Sequence, residues 1–185
     1  MAETYIGVKF RTLFEGIEAG HKKERKKIVT ELSKLNEKGL LDKNNGNVSV
    51  RVKKGLIITP TGTDMSSIKE EDPVLVTGIN EEAKLVYTKG RNQPSSEAIM
   101  HWLIYQEFPN TNAIVHFHDP ELLKHHKKFT ETKTHYDYGT IELAHEVLKT
   151  LKKKKFIIIK EHGAIAIGKN LTVCHSLISK AKNKI

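Results

Sequence analysis

Two histidines one residue apart close a short apolar run, Ala113-Ile-Val-His-Phe-His-Asp-Pro120. The run reads as a strand. Strand side chains alternate faces, so His116 and His118 point one way and Phe117 the other. Two imidazoles on one face of a strand end can grip a divalent cation from one side. Taken alone, a His-x-His pair fits two histidines at an ordinary strand end equally well. A third histidine, His162, precedes Gly163 at a turn between the apolar runs Phe156–Lys160 and Ala164–Ile167, which puts it on a sheet rim. Three nitrogen ligands with an open position form a common catalytic zinc arrangement. Exposure is the default for His21, His125, His126, His135, His145 and His175, which lie in lysine-rich or helical surroundings. His101 falls on a helix, as core or as support for the site.

A second chemical signal is Pro94-Ser-Ser-Glu97, which opens a helix. Backbone N–H groups are unpaired there and the helix dipole is positive, so a phosphate fits. Serine is equally a favoured N-cap, and glutamate suits the first turn for the same electrostatic reason. Two loops, Asn45-Gly-Asn47 and Thr59-Pro-Thr-Gly62, offer backbone amides and small polar side chains that can hold phosphate oxygens. Each also reads as a plain turn.

These residues need elements to carry them. Phe10, Leu13, Phe14 and Ile17 share helical spacing, which predicts a short helix within Met1–Gly20. Lys22–Lys38 reads as a helix with Ile28, Leu32 and Leu35 on its apolar stripe and Gly39 as its stop. After the turn signal Asn44–Asn47, Val48–Val52 and Leu56–Thr59 alternate as a hairpin. Pro73–Thr77 and Lys84–Tyr87 are two further strands around a turn at Ile79–Glu82. The helix Glu97–Glu107 is expected to turn Ile99, Leu103 and either Trp102 or Gln106 inward. Thr140–Leu151 and Asn170–Lys184 complete the helices, the latter with Val173, Leu177, Ile178 and Ala181 inward. Short strands mixed with helices predict an α/β layered domain with a central, largely antiparallel sheet.

The 185 residues fit one domain, with 1–20 as an N-terminal extension. A hydrophobic content of 38% and a charged content of 29% belong to an ordinary soluble protein. No apolar run is long enough to cross a membrane, and the N-terminus lacks a secretory pattern. Cys174 is the only cysteine, so no disulfide forms within the chain, and the cytoplasm is the simplest compartment. The net charge of +9 invites a nucleic-acid reading. The lysines nevertheless cluster at Lys22–Lys27 and Lys152–Lys155 without interleaved aromatics, which fits a solvated exterior. A positive field also attracts small phosphorylated anions.

In order along the chain, Gly-Asn-Val-Ser-Val-Arg (46–51), Ile-Thr-Pro-Thr-Gly (58–62), Pro-Ser-Ser-Glu (94–97), Ala-Ile-Val-His-Phe-His (113–118), Gly-Thr-Ile-Glu-Leu-Ala (139–144) and Glu-His-Gly-Ala-Ile-Ala-Ile-Gly (161–168) resemble the class II aldolase/adducin family. The resemblance runs from Lys22 to the end. It implies that His116, His118 and His162 ligate zinc, and that Glu97 is the catalytic acid/base and a further zinc ligand when substrate is absent. It also implies that Gly46, Asn47, Thr61, Gly62, Ser95 and Ser96 hold a phosphate.

The activity implied is zinc-dependent cleavage of a phosphorylated ketose into a dihydroxyacetone phosphate-type donor and an aldehyde. The cation disperses the charge of the enediolate left by carbon–carbon cleavage, and a carboxylate moves the proton. The family also contains sugar-phosphate epimerases, a dehydratase and non-catalytic adducin-like proteins. Glu at 97 and the Ser95-Ser96 and Thr61-Gly62 pairs favour the aldolase, and three retained histidines disfavour a scaffold. Homotetramers with sites between subunits are the family expectation, with no nucleic acid or membrane partner. Between His118 and Gly139 the chain is shorter than the family's aldolases, where substrate-wall residues are expected.

Overall fold

Apolar side chains on both faces of the strands build one sheet with helices packed on each side. The computed structural model describes residues 7–17, 19–39, 46–152 and 154–185. The strands are β1 (Arg11–Phe14), β2 (Gly46–Val52), β3 (Gly55–Ile58), β4 (Val74–Asn80), β5 (Leu85–Lys89), β6 (Ala113–Phe117), β7 (Phe156–Ile159) and β8 (Gly163–Gly168). The helices are α1 (Lys22–Glu37), α2 (Ala98–Glu107), α3 (Pro120–Lys124), α4 (Ile141–Leu151) and α5 (Leu171–Lys182). The sheet order is β1-β5-β4-β3-β2-β6-β8-β7. Every neighbouring pair is antiparallel except β1–β5. The layered, largely antiparallel α/β architecture read from the sequence is the one observed.

Two cores fill the two sides of the sheet. Ile28, Leu32 and Leu35 of α1 and Cys174 and Ile178 of α5 pack on one face. Ile99, Leu103 and Ile104 of α2 and Leu143, Val147 and Leu151 of α4 pack on the other. β6 shows the period of two: Ala113, Val115 and Phe117 enter the first core and Ile114 the second. His116 therefore shares the α2 side, and the site forms where that face meets the start of α2.

Several elements differ from their sequence reading. The N-terminal segment is a strand, not a helix: β1 runs parallel to β5, with Arg11 beside Leu85 and Phe14 beside Thr88. The open edge of β5 supplies the backbone partners that a short helix would have to find within itself. Phe10 is buried, while Leu13, Phe14 and Ile17 stay exposed, so the helical spacing of these residues marks no common buried face. β4 extends to Asn80, and the chain reverses later than expected, with Lys84 in the left-handed region.

α2 is buried nearly all round, because the sheet covers one side and α4 the other; Gln106 alone among its expected inner residues is exposed. In α5, Leu171 and Cys174 turn inward, whereas Val173 and Leu177 are only half-buried. α3 was not anticipated, although Asp119-Pro120 is an N-cap followed by proline at the first helical position. Asn44 and Asn45 of the expected turn lie outside the described residues.

Candidate metal and acid/base site

The sheet register brings the three histidines together. β6 lies between β2 and β8, with His116 beside Asn47 on one side and Ile165 on the other. His118 follows the strand at the corner into α3, where the Asp119 carboxylate accepts from Glu121 N (3.0 Å) and Leu122 N (3.1 Å). His162 sits in the turn from β7 to β8, its amide donating to Ile159 O, and the preceding Glu161 adopts a left-handed conformation. A side chain at Gly163 has no room: its Cβ would lie 2.6 Å from Phe117 O and 3.0 Å from the rings of His116 and His118. The glycine lets the β7–β8 turn approach β6 closely enough for His162 to join the pair.

The ligand atoms of His116, His118 and His162 all lie within 4.8 Å of one another. His116 Nε2 is 3.0 Å from His118 Nε2 and 3.1 Å from His162 Nε2. His116 Nδ1 is 3.0 Å from the carbonyl of Ala164, which only accepts. The proton therefore sits on Nδ1, and Nε2 presents a bare lone pair to the cluster. Burial pushes the His116 imidazole well below its ordinary range, with the neighbouring His118 and His162 also opposing its charge and Glu97 favouring it.

Ring nitrogens brought this close repel unless a proton or a cation lies among them. Two nitrogens about 2.1 Å from a tetrahedral zinc would stand ~3.4 Å apart, close to the observed spacing. The donor set fits a divalent metal.

Glu97 completes the group. Its Oε2 is 3.1 Å from His116 Nε2 and its Oε1 3.1 Å from His162 Nε2. Burial disfavours its charge, but the facing His116 and His162 outweigh that and hold the carboxyl well below the usual range. The side chain is 4% exposed, so bulk water hardly reaches it.

One face of β2 holds α2 along its length. Asn47 Nδ2 donates to Glu97 Oε2 (2.8 Å) at the helix start. Ser49 Oγ meets His101 Nδ1 (2.7 Å) and Tyr105 Oη (2.8 Å) in its middle. Arg51 donates to the carbonyls of Tyr105, Phe108 and Thr111 at its end. Residues 47, 49 and 51 share a face because strands have a period of two. His101 is fully buried, and burial pushes it down to about 4 against the pull of Glu97. Ser49, Arg51 and His101 are thus structural supports of Glu97. The alternation of polar residues in Asn-Val-Ser-Val-Arg was the available signal for them.

The expected phosphate-binding residues gather beside Glu97. The Thr59–Gly62 and Arg91–Ser96 loops are joined: Ser95 N donates to Thr59 O, Thr61 N to Gln93 O, and Pro60 bridges Pro94. Ser95 Oγ accepts from Glu97 N (3.3 Å), so it serves the helix start. The Ser96 hydroxyl and amide and the Gly62 amide have no hydrogen-bond partner among the described residues. Gly46 approaches the backbone of His116 too closely for a side chain. Asn47 turns its amide to Glu97, and its Oδ1 is buried without a partner among the described residues. Elsewhere, His125, His126 and His175 are half-buried rather than exposed, and His175 lies 2.6 Å from Glu31.

Residues 26–180 match the class II aldolase and adducin N-terminal domain. The chain belongs to the class II aldolase and adducin family. It is 33% identical over 164 residues to an L-fuculose phosphate aldolase of Haemophilus influenzae, covering 78% of this chain and 72% of that one. It is 26% identical over 162 residues to a 5-methylthioribulose-1-phosphate/5-deoxyribulose-1-phosphate aldolase of Escherichia coli, covering 78% and 73%. A solved L-fuculose 1-phosphate aldolase superposes with a TM-score of 0.76 at 24% identity, over 89% of this chain and 85% of that one, and shows the shared fold. These relatives are class II aldolases, and the chain is a member of that lyase family.

Proposed function

We propose that the chain is a zinc-dependent aldolase that reversibly cleaves a ketose 1-phosphate, of the L-fuculose 1-phosphate type, into dihydroxyacetone phosphate and an aldehyde. The observation that carries this reading is Glu97: its carboxylate spans His116 and His162 at 3.1 Å each, at the head of the helix whose loop leaves Ser96 available. His116, His118 and His162 would hold the metal, which supplies Lewis-acid stabilisation to the enediolate.

The residues of the chain supply the rest. Ser96 and the Gly62 amide receive the phosphate, with Ser95, Thr61, Gly46 and Asn47 shaping the surrounding loops. This handle places the ketone beside the histidines. As the bond beyond the ketone breaks, its electron pair passes toward the ketone oxygen. The hydroxyl of the departing carbon gives up its proton to the charged Glu97 carboxylate and becomes the aldehyde; Glu97 then delivers that proton to the carbon left behind, and the synthetic direction reverses both transfers. Asn47 fixes the carboxylate, so the proton is exchanged at one position. Phosphate site and acid/base lie on one helix start, which converts binding into orientation.

Both relatives compared by sequence are named as aldolases of sugar phosphates, the Escherichia coli one of 1-phosphates, which supports cleavage over epimerisation or dehydration. The reading is of a cytoplasmic homotetramer of single-domain chains, supported by the single cysteine and by the family expectation. A panel of ketose 1-phosphates and 5-phosphates, with aldol cleavage and epimerisation followed separately, tests the reading. Release of dihydroxyacetone phosphate from a 1-phosphate is expected. Epimerisation of a 5-phosphate without cleavage would replace the reading.

A further inference from the structure

The segment before α1 touches both sides of the loop that carries Ser96. On one side, Thr12 Oγ1 accepts from Gln93 Nε2 (3.3 Å), and Gly90 N donates to Gly16 O (2.9 Å). Gln93 in turn accepts from Thr61 N. On the other side, Tyr138 donates to Gly7 O (3.1 Å), while Lys9 lies 3.5 Å from Asp137 and 4.4 Å from the Tyr138 ring centre. Tyr138 leads into Gly139, whose φ is 67° and where a Cβ would stand 2.9 Å from Ser96 O. The segment is itself anchored by pairing of β1 with β5 and by the buried Phe10.

We infer that residues 7–17 form a strap that sets the geometry of the anion loop, with Lys9, Thr12 and Tyr138 as positioning residues for the phosphate end of the substrate. The contacts of the three run to Gln93, Gly7 and Asp137, beside the anion loop, so the strap acts on phosphate binding. The inference rests on the sugar-phosphate reading for its ligand, while the contacts of the strap stand without it. The expected signature is a split: KM for a ketose 1-phosphate rises when the strap is loosened, and kcat changes little.

The test compares the full chain with a variant lacking residues 1–17 and with the triple variant Lys9→Ala, Thr12→Val, Tyr138→Phe. The triple variant keeps the β1–β5 pairing and Phe10, and it carries the test if the shortened chain does not fold. Amide hydrogen exchange is read over residues 91–97 and 137–139, zinc content per chain by elemental analysis, and binding of inorganic phosphate by calorimetry. Faster exchange in both segments, phosphate binding weaker by about tenfold (the scale of one charge-assisted hydrogen bond) and unchanged zinc content are expected. Unchanged exchange in the variants overturns the strap. Equal loss of zinc and phosphate overturns it in favour of general loosening. Failure of the full chain to bind phosphate counts against the sugar-phosphate reading, and the exchange result then decides the strap by itself.

Discussion

Glu97 and Gly163 show how much depends on single atoms. Glu97 is a buried carboxyl held well below the usual range, against its burial, by the facing His116 and His162. Glu97→Gln keeps a donor oxygen and the volume but cannot exchange the proton. Zinc content should be retained while kcat falls by about 10²- to 10⁴-fold, as steady-state kinetics beside elemental analysis will show. Gly163→Ala should weaken zinc binding by roughly 10- to 100-fold, measured by chelator competition, because the new methyl meets two histidine rings. The histidines were legible as candidates from residue type and local period, at a strand end and a turn, whereas Glu97 read locally as a first-turn residue and only the resemblance singled it out. The need for glycine at 163 was not, because the colliding atoms belong to a different strand.

At the scale of elements, the β2–α2 clamp decides how Glu97 is held. His101 lies in its middle and is neutral in the fold down to about pH 4. An unfolded histidine takes up its proton near 6.5. Between these values the unfolded chain binds more protons, so stability falls as pH drops through 6.5 and the loss is complete near 4. The shift is worth on the order of 3 kcal/mol. His101→Asn, which keeps a nitrogen near Ser49, should flatten this slope in urea titrations of metal-free protein at pH 4.5 and 7. His116, shifted the same way, will leave part of it. The strands β2 and β6 were readable because alternation over five to seven residues is a strong signal. α2 was readable as a helix but not by face, since burial on both sides erases amphipathic period.

Across the whole molecule, one sheet with two cores brings residues from four separate stretches to one rim. The order of motifs made that layering legible. β1 escaped because its partner is an edge distant in sequence, and local spacing cannot report it. A metal joining β6 to the β7–β8 turn and α2 should also tie the fold together. Saturating zinc is expected to raise the midpoint of thermal unfolding by about 10 °C over the chelated protein, read by calorimetry. The most direct test of the central claim is the metal content of purified, zinc-reconstituted protein beside His116→Ala. About one ion per chain in the first and close to none in the second is the predicted result. No bound ion in the unaltered chain, or full retention by the variant, would contradict it.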